Sequence, residues 1–178
     1  MKALKEYIIP FVGLKLGVHE FEYEISNDFF ALFDFEEYNS TAVNVNLKFE
    51  KKSTFFELSF KTTGTVNINC DVTTEAFDLP IENQLFLVVK FGEEFNDENE
   101  EVLILPHGEY EINVSQYIYE CVVLGVPNKR VHPGVEDGTL ESDIIDKLES
   151  LSLKENKNEN NEEIDPRWNK LKSLLKDK

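Results

Sequence analysis

The chain has 178 residues, enough for one domain of ordinary size with or without appendages, and 41% hydrophobic content with 14 phenylalanines allows a sizeable core. Its formal charge of −17, from 35 acidic and 18 basic residues, disfavours non-specific adsorption to phosphate backbones or anionic lipid, and argues against a DNA or membrane partner. No run approaches the roughly 20 apolar residues of a membrane span. The start, MKALKEYIIPFVGLKLG, is too interrupted by Lys5, Glu6, Pro10 and Lys15 for a secretion signal, so a cytoplasmic location is expected.

In chain order, Tyr7 to Phe11 is short and apolar, is broken by Pro10, and reads as an edge or lead-in strand. His19, Phe21, Tyr23 and Ile25 alternate with Glu20, Glu22 and Glu24, the pattern of a strand with one wet face. Phe29, Phe30, Leu32 and Phe33 crowd into a segment that fits a helical turn over a sheet edge. Val43, Val45, Leu47 and Phe49 then alternate with polar residues. Beyond the turn residues Glu50-Lys51-Lys52-Ser53 come Phe56, Leu58 and Phe60, a hairpin by pattern.

Gly64 permits a bend or bulge before Val66, Ile68 and Cys70. Asp71 to Thr74 is a turn candidate, followed by an alternating strand at Phe77, Leu79 and Ile81, whose Pro80 argues for an edge, an end or a bulge. Leu85, Leu87, Val89 and Phe91 oppose Phe86 and Val88 in a further strand that is apolar on both sides, so its second face needs a cover. Gly92 to Glu101 holds six acidic residues and two asparagines and reads as a solvated loop, without the spacing or central glycine of a calcium site. Val102 to Leu105 is a short strand closed by Pro106 and Gly108, and Tyr110 and Ile112 can extend the sheet.

A helix is predicted from Asn113 to Val126. Asn113 or Ser115 can accept from the free N–H groups at its start, and Gln116 makes a weak capping box with Asn113. Ile118, Cys121, Val122 and Gly125 share one face, the natural cover for the doubly apolar strand. Pro127 stops the helix, and the exit segment Asn128 to Pro133 carries Lys129, Arg130 and His132 in an otherwise acidic chain. Those cations either touch phosphates or a protein partner, or are simply solvated while neutralising the helix end. Lys51-Lys52 marks a second cationic spot at the hairpin tip.

After a loop-like stretch from Gly134 to Thr139, Leu140, Ile144, Leu148 and Leu151 trace one helical stripe, with acidic residues early as the helix dipole favours. The run KENKNENNEE, 154–163, has no apolar residue and reads as a linker. Asp165 and Pro166 then suit a helix start, with Trp168, Leu171 and Leu175 on one side. From Ile164 on there are five basic residues against two acidic. Such a segment of about 13 residues is marginal as a lone helix in water. Either it folds back on the domain, or it orders against a partner, with Trp168 as a rigid anchor.

Catalytic and metal signatures are lacking: there is no phosphate-cradling glycine loop, no GxSxG and no HExxH. The three histidines and two cysteines show no zinc spacing, so Cys70 and Cys121 are expected as buried free thiols and no cofactor is expected. Cys121 and His132, 11 positions apart, are the one thiol and imidazole pair to test for nucleophilic chemistry. The expected architecture is α+β: a body over 1–133, with an antiparallel sheet, its curvature up to a barrel-like form left open, under the central helix. An acidic amphipathic helix (134–153), the polar linker (154–163) and a basic Trp-containing helical tail (164–178) follow.

Three stretches, GTVNINC at 64–70, the helix with its LGVPNKRVHP ending, and DPRWNKL at 165–171, resemble the YceD family (DUF177, large ribosomal RNA subunit accumulation). Many members of that family carry a CxxC pair after the glycine strand. Here Thr73 stands at the second place, and one thiolate cannot by itself hold a structural zinc. The resemblance implies a non-enzymatic factor in large-subunit production, with a ribosomal protein or large-subunit RNA precursor as partner. The contacts expected are Lys129, Arg130 and His132 on the body and Arg167, Trp168, Lys170 and Leu171 on the tail. The acidic body would resist wrong phosphate contacts and attract a basic ribosomal protein. A general protein-interaction adaptor without an RNA role is the alternative reading, and an unrecognised enzyme the third.

Overall fold

The computed structural model describes residues 3–140 and 143–151. The chain divides into two compact units, Met1–Ile145 and Asp146–Lys178, and the architecture below belongs to the first. Its strands are β1 (Ile8–Ile9), β2 (Gly17–Ile25), β3 (Ser40–Lys51), β4 (Phe55–Asn69), β5 (Ala76–Gly92), β6 (Asn96–Asn99), β7 (Val102–Pro106) and β8 (Ile112–Asn113). Its helices are α1 (Asn27–Phe30), α2 (Ser115–Val123) and α3 (Pro133–Glu136), and α4 (Asp143–Leu151) runs across the division.

Six strands form one sheet in the order β2-β3-β4-β5-β7-β6, while β1 and β8 pair in a separate antiparallel ribbon. Alternation built these strands as expected: Val43, Val45, Leu47 and Phe49 of β3 face the core with Phe56, Leu58 and Phe60 of β4, and Glu20, Glu22 and Glu24 of β2 stay in water. Gly64 makes no break. It lies inside the continuous strand β4 opposite Val43, where an added Cβ would stand 2.4 Å from the Ala42 carbonyl oxygen. Close backbone approach, rather than a bend, is what demands glycine there.

The purely antiparallel sheet expected from the sequence is corrected in three ways. The two strands predicted around Pro80 are one, β5, and β7 flanks it only from Val88 onward, so Pro80 sits where β5 is locally an edge. The acidic loop contains a strand: the chain runs back from β5 as β6 and returns as β7 in the gap between them, which makes β5 and β7 parallel. Parallel neighbours normally need a long crossover; here the stretch 93–101 suffices because it is itself the outer strand. Finally, β2 and β6 are the two edges of an open sheet, so no barrel forms among the described residues. Tyr110 and Ile112 do not lengthen the large sheet either, since Ile112 pairs with Ile9 in the small ribbon.

The helix α2 packs on β4 and β5. It is shorter than expected, and Asn113 serves its start by accepting the Ser115 N–H at 2.9 Å. No capping box forms, because Gln116 turns to Glu120 instead, donating at 2.8 Å. Ile118, Cys121 and Val122 are fully buried, and each large aliphatic among them contributes roughly 1.5–3 kcal/mol. Two polar ties lock the seat: the Thr62 hydroxyl donates to Cys121 Sγ at 3.1 Å, and Asn83 Nδ2 donates to the Cys121 carbonyl at 2.9 Å. On β5 one face is buried, with Leu87 and Val89 at 1% and 0% exposure, while Phe86 on the other face is 50% exposed. The expectation that both faces would be covered is therefore met on one.

The phenylalanine-rich turn does form. It comprises α1 and a 3₁₀ turn over Ala31–Phe33, and it brings Phe30, Phe33 and Phe35 against Tyr119 on the flank of α2. The exit expected as loop contains α3, a single turn started by His132 and Pro133. In α4 the predicted stripe is present, with Leu148 and Leu151 50% and 79% exposed. Replacing Gly64 by alanine should lower stability by about 2–3 kcal/mol through the clash with β3. Gly13→Ala, where a Cβ meets open space, should change it by less than about 0.5 kcal/mol; urea denaturation midpoints check both.

Candidate functional site

The exit from α2 is held to the turn between β4 and β5 by paired backbone bonds. The Asp71 N–H donates to the Arg130 carbonyl at 2.7 Å, and the Arg130 N–H donates to Asp71 Oδ2 at 2.8 Å. The Arg130 guanidinium then lies between two acids, 3.2 Å from Glu37 and 3.7 Å from Asp71. Its charge is therefore spent inside the fold. Lys129 is exposed and forms no ion pair among the described residues. It is the cation of this corner that points its full charge at solvent.

His132 is half-buried and used structurally. Its Nδ1 accepts the Gly134 N–H at 2.9 Å, capping α3, and its ring lies edge-on to Phe77 at 5.3 Å. An imidazole accepting at Nδ1 carries its proton on Nε2. The His132 backbone N–H donates to Cys70 Sγ at 3.3 Å. Thus Cys70, Thr73 and His132, separated in sequence, meet at one knot, with Thr73 and Cys70 1% and 2% exposed. Burial pushes the Cys70 thiol up, but hydrogen bonds from the His132 N–H, the Thr73 hydroxyl and the N–H groups of Thr73 and Val72 outweigh it, and the pKa is held below 9.0.

Cys121 has the opposite environment. Burial raises its pKa against the smaller effect of the Thr62 hydroxyl. Its Sγ accepts from the Thr62 hydroxyl, while the His132 ring accepts from the Gly134 N–H, so the thiol and imidazole tested for nucleophilic chemistry are held by different partners. Both cysteines are free and buried, as expected. Among the described residues no three or more His, Cys, Asp or Glu side chains are grouped to hold a metal ion, and no helix is long and apolar enough to cross a membrane.

Beside Arg130 an open cleft of about 230 Å³ is lined by Phe35, Tyr38, Val126, Pro127 and Asn128. Lys129 follows directly on its wall. At the hairpin tip the other expected cations are engaged: Lys51 donates to the Phe11 and Leu14 carbonyls at 2.8 Å each, and Lys52 pairs with Glu57 at 2.6 Å. Arg167, Trp168, Lys170 and Leu171 lie outside the described residues, as do the linker 154–163 and the tail as a whole.

Sequence reasoning missed Glu37, Asp71 and Thr73. Glu37 lies 93 positions from Arg130 and carried no local signal, and Asp71 was read only as a turn residue. Thr73 was singled out for what it replaced, and the knot shows what it does instead. Buried beside Cys70, the Thr73 hydroxyl oxygen accepts the Glu75 N–H at 3.4 Å and so helps to close the turn.

A family model, large ribosomal RNA subunit accumulation protein YceD, matches residues 58–175, about two thirds of the chain. The chain belongs to this family. The match starts within β4 and takes in the Cys70 turn, α2, the exit segment and the predicted tail, the same stretches whose motifs carried the resemblance. No curated protein and no solved structure matches the chain.

Two outcomes follow from the knot. Asp71→Ala should cost about 1–2 kcal/mol because it removes both the acceptor of the Arg130 N–H and one carboxylate beside its guanidinium, whereas Arg130→Ala, which removes only a partly exposed ion pair, should cost less than about 1 kcal/mol; urea denaturation ranks them. A thiol whose folded pKa lies below its unfolded value stabilises the fold increasingly as pH rises between the two values, and that contribution is lost as pH falls through the folded one. The stability gap between the wild type and Cys70→Ala should therefore widen as pH rises toward the ordinary thiol pKa of about 8.5, read as denaturation midpoints at a series of pH values.

Proposed function

We propose that this protein is a non-enzymatic cytoplasmic factor that supports accumulation of large-subunit ribosomal RNA by contacts with a ribosomal protein or with the RNA precursor. The observation that carries this reading is the family match over residues 58–175. The separate engagement of the Cys121 thiol and the His132 ring is in keeping with a role by contact.

In this reading Lys129, exposed and in no ion pair among the described residues, is the cation of the body that meets the partner. Arg130 and His132 support it, the first by tying the exit segment to Glu37 and Asp71, the second by capping α3 and bonding Cys70. The cleft next to Lys129 offers an aromatic and apolar wall of modest volume. Arg167, Trp168, Lys170 and Leu171 on the tail supply a second contact in this reading. Two weak contacts on one chain gain from effective concentration where both can be engaged together.

Crosslinking and affinity purification of the full chain from cells tests this. Enrichment of large-subunit protein or precursor RNA is expected, with at least a fivefold loss for Lys129→Ala combined with deletion of 164–178. Undiminished recovery by both single variants and their combination would show that these surfaces are not the contacts.

A further inference from the structure

The strongest uncommitted surface is a groove between α2 and the β6–β7 hairpin, made of two adjoining cavities of about 370 and 600 Å³ that share Asp97, Gln116 and Tyr117. Its walls are apolar to an unusual degree for so charged a chain. Leu103, Leu105, Tyr117 and Phe95 line the first cavity, Phe86 and Leu124 line the second, and Phe86, Phe95 and Leu124 have 50%, 57% and 72% of their surface exposed. Large apolar side chains gathered at one opening mark interaction surfaces more often than scattered ones do.

Around this apolar lining sit Asp97, Glu100, Glu101, Glu109, Glu111 and Glu120, and no Lys, Arg or His lines either cavity. None of the six carboxylates forms an ion pair among the described residues. They are not clustered for a metal ion, since no three acidic, His or Cys side chains are so grouped among the described residues. The Tyr117 hydroxyl, its pKa pushed up to about 12 by burial and then by Asp97 and Glu120, stays neutral and able to donate between the two walls.

Charge selects the occupant. A nucleic acid would set phosphates against the carboxylates. A second copy meeting the same face would place like charges together. A polypeptide rich in Lys and Arg, with apolar side chains at intervals, satisfies both features at once: its cations reach the rim, and its apolar groups cover Phe86, Phe95 and Leu124. We infer that the α2/β6–β7 groove docks such a basic, amphipathic polypeptide segment. The inference rests on the reading that this protein acts by contact, and it names the chemistry of one partner. The surface shares no residue with the cleft beside Lys129.

A labelled 20-residue synthetic peptide of lysines with leucine at every third or fourth position, titrated into the full chain by fluorescence anisotropy at about 0.15 M salt, tests the groove. Asp97→Asn/Glu100→Gln/Glu101→Gln/Glu120→Gln should weaken binding about tenfold, the scale of four partly exposed ion pairs. The same number of charges removed from the acidic but polar face at β2, by Glu6→Gln/Glu20→Gln/Glu22→Gln/Glu24→Gln, should change it less than about twofold. Phe86→Ser/Leu124→Ser should weaken it about fivefold, with denaturation midpoints confirming that the exposed substitutions leave the fold intact.

Equal losses from both charge quartets, or no loss from the apolar pair, would mean diffuse attraction to an acidic protein and would overturn the groove. Displacement of the peptide from the groove by a large-subunit RNA fragment would overturn the choice of a polypeptide. The two readings fail separately. If cells yield no large-subunit component with the wild type while the peptide still binds the groove, the proposed function falls and the groove stands. If the groove quartet recovers large-subunit components as well as the wild type does, the groove falls and the function stands.

Discussion

The seat of α2 on β4 and β5 is the constraint from which the other features follow. A sheet whose core face is lined by Leu58, Phe60, Leu87 and Val89 must be covered, and one short helix with Ile118, Cys121 and Val122 beneath it does the covering. At about nine residues the helix is too short to be stable alone, so burial and the ties through Thr62 and Asn83 hold it. Once it is set, its two sides become different surfaces. Tyr119 leans on the phenylalanine turn and leads to the Lys129 corner, while Gln116, Tyr117, Glu120 and Leu124 wall the acidic groove.

The corner after the helix shows how a fold can keep a cation for itself. Arg130 lies between Glu37 and Asp71, and its backbone is bonded to Asp71 as well, so its removal bears on the shape of the exit before it bears on any partner. Exposed ion pairs are worth little by themselves, but a backbone pair that registers two segments is a positional device. The Cys70 knot acts beside it. A thiol surrounded by N–H donors, with the Thr73 hydroxyl on it, joins the turn to His132 through hydrogen bonds alone.

Charge divides the surface in a way the net value conceals. An acidic chain repels phosphate in general, yet Lys129 stands free while the hairpin-tip lysines are engaged internally. The acidic residues are likewise unequal. Those on β2 border a polar face, whereas those around the groove surround exposed Phe86, Phe95 and Leu124. One cation unpaired among the described residues and one acidic groove with an apolar lining are thus separate features of a small, strongly acidic body.

Much of this was legible in the residues. Period-two alternation in β2, β3 and β4, the Asp71–Thr74 turn and the apolar face of α2 are properties of neighbours in sequence, and side-chain direction repeats locally whatever the rest of the chain does. The motifs around GTVNINC and LGVPNKRVHP likewise sufficed to indicate the family. Tertiary structure alone decided that β7 slips between β5 and β6, that Gly64 is needed for contact with β3, and that Arg130 meets acids 59 and 93 positions away. Strand β6 was unreadable because all four of its residues are exposed and polar, so no alternation marks it. Periodicity reports which way a side chain points, whereas partners are set by how distant segments meet, and on that meeting depends which charges are left for another molecule.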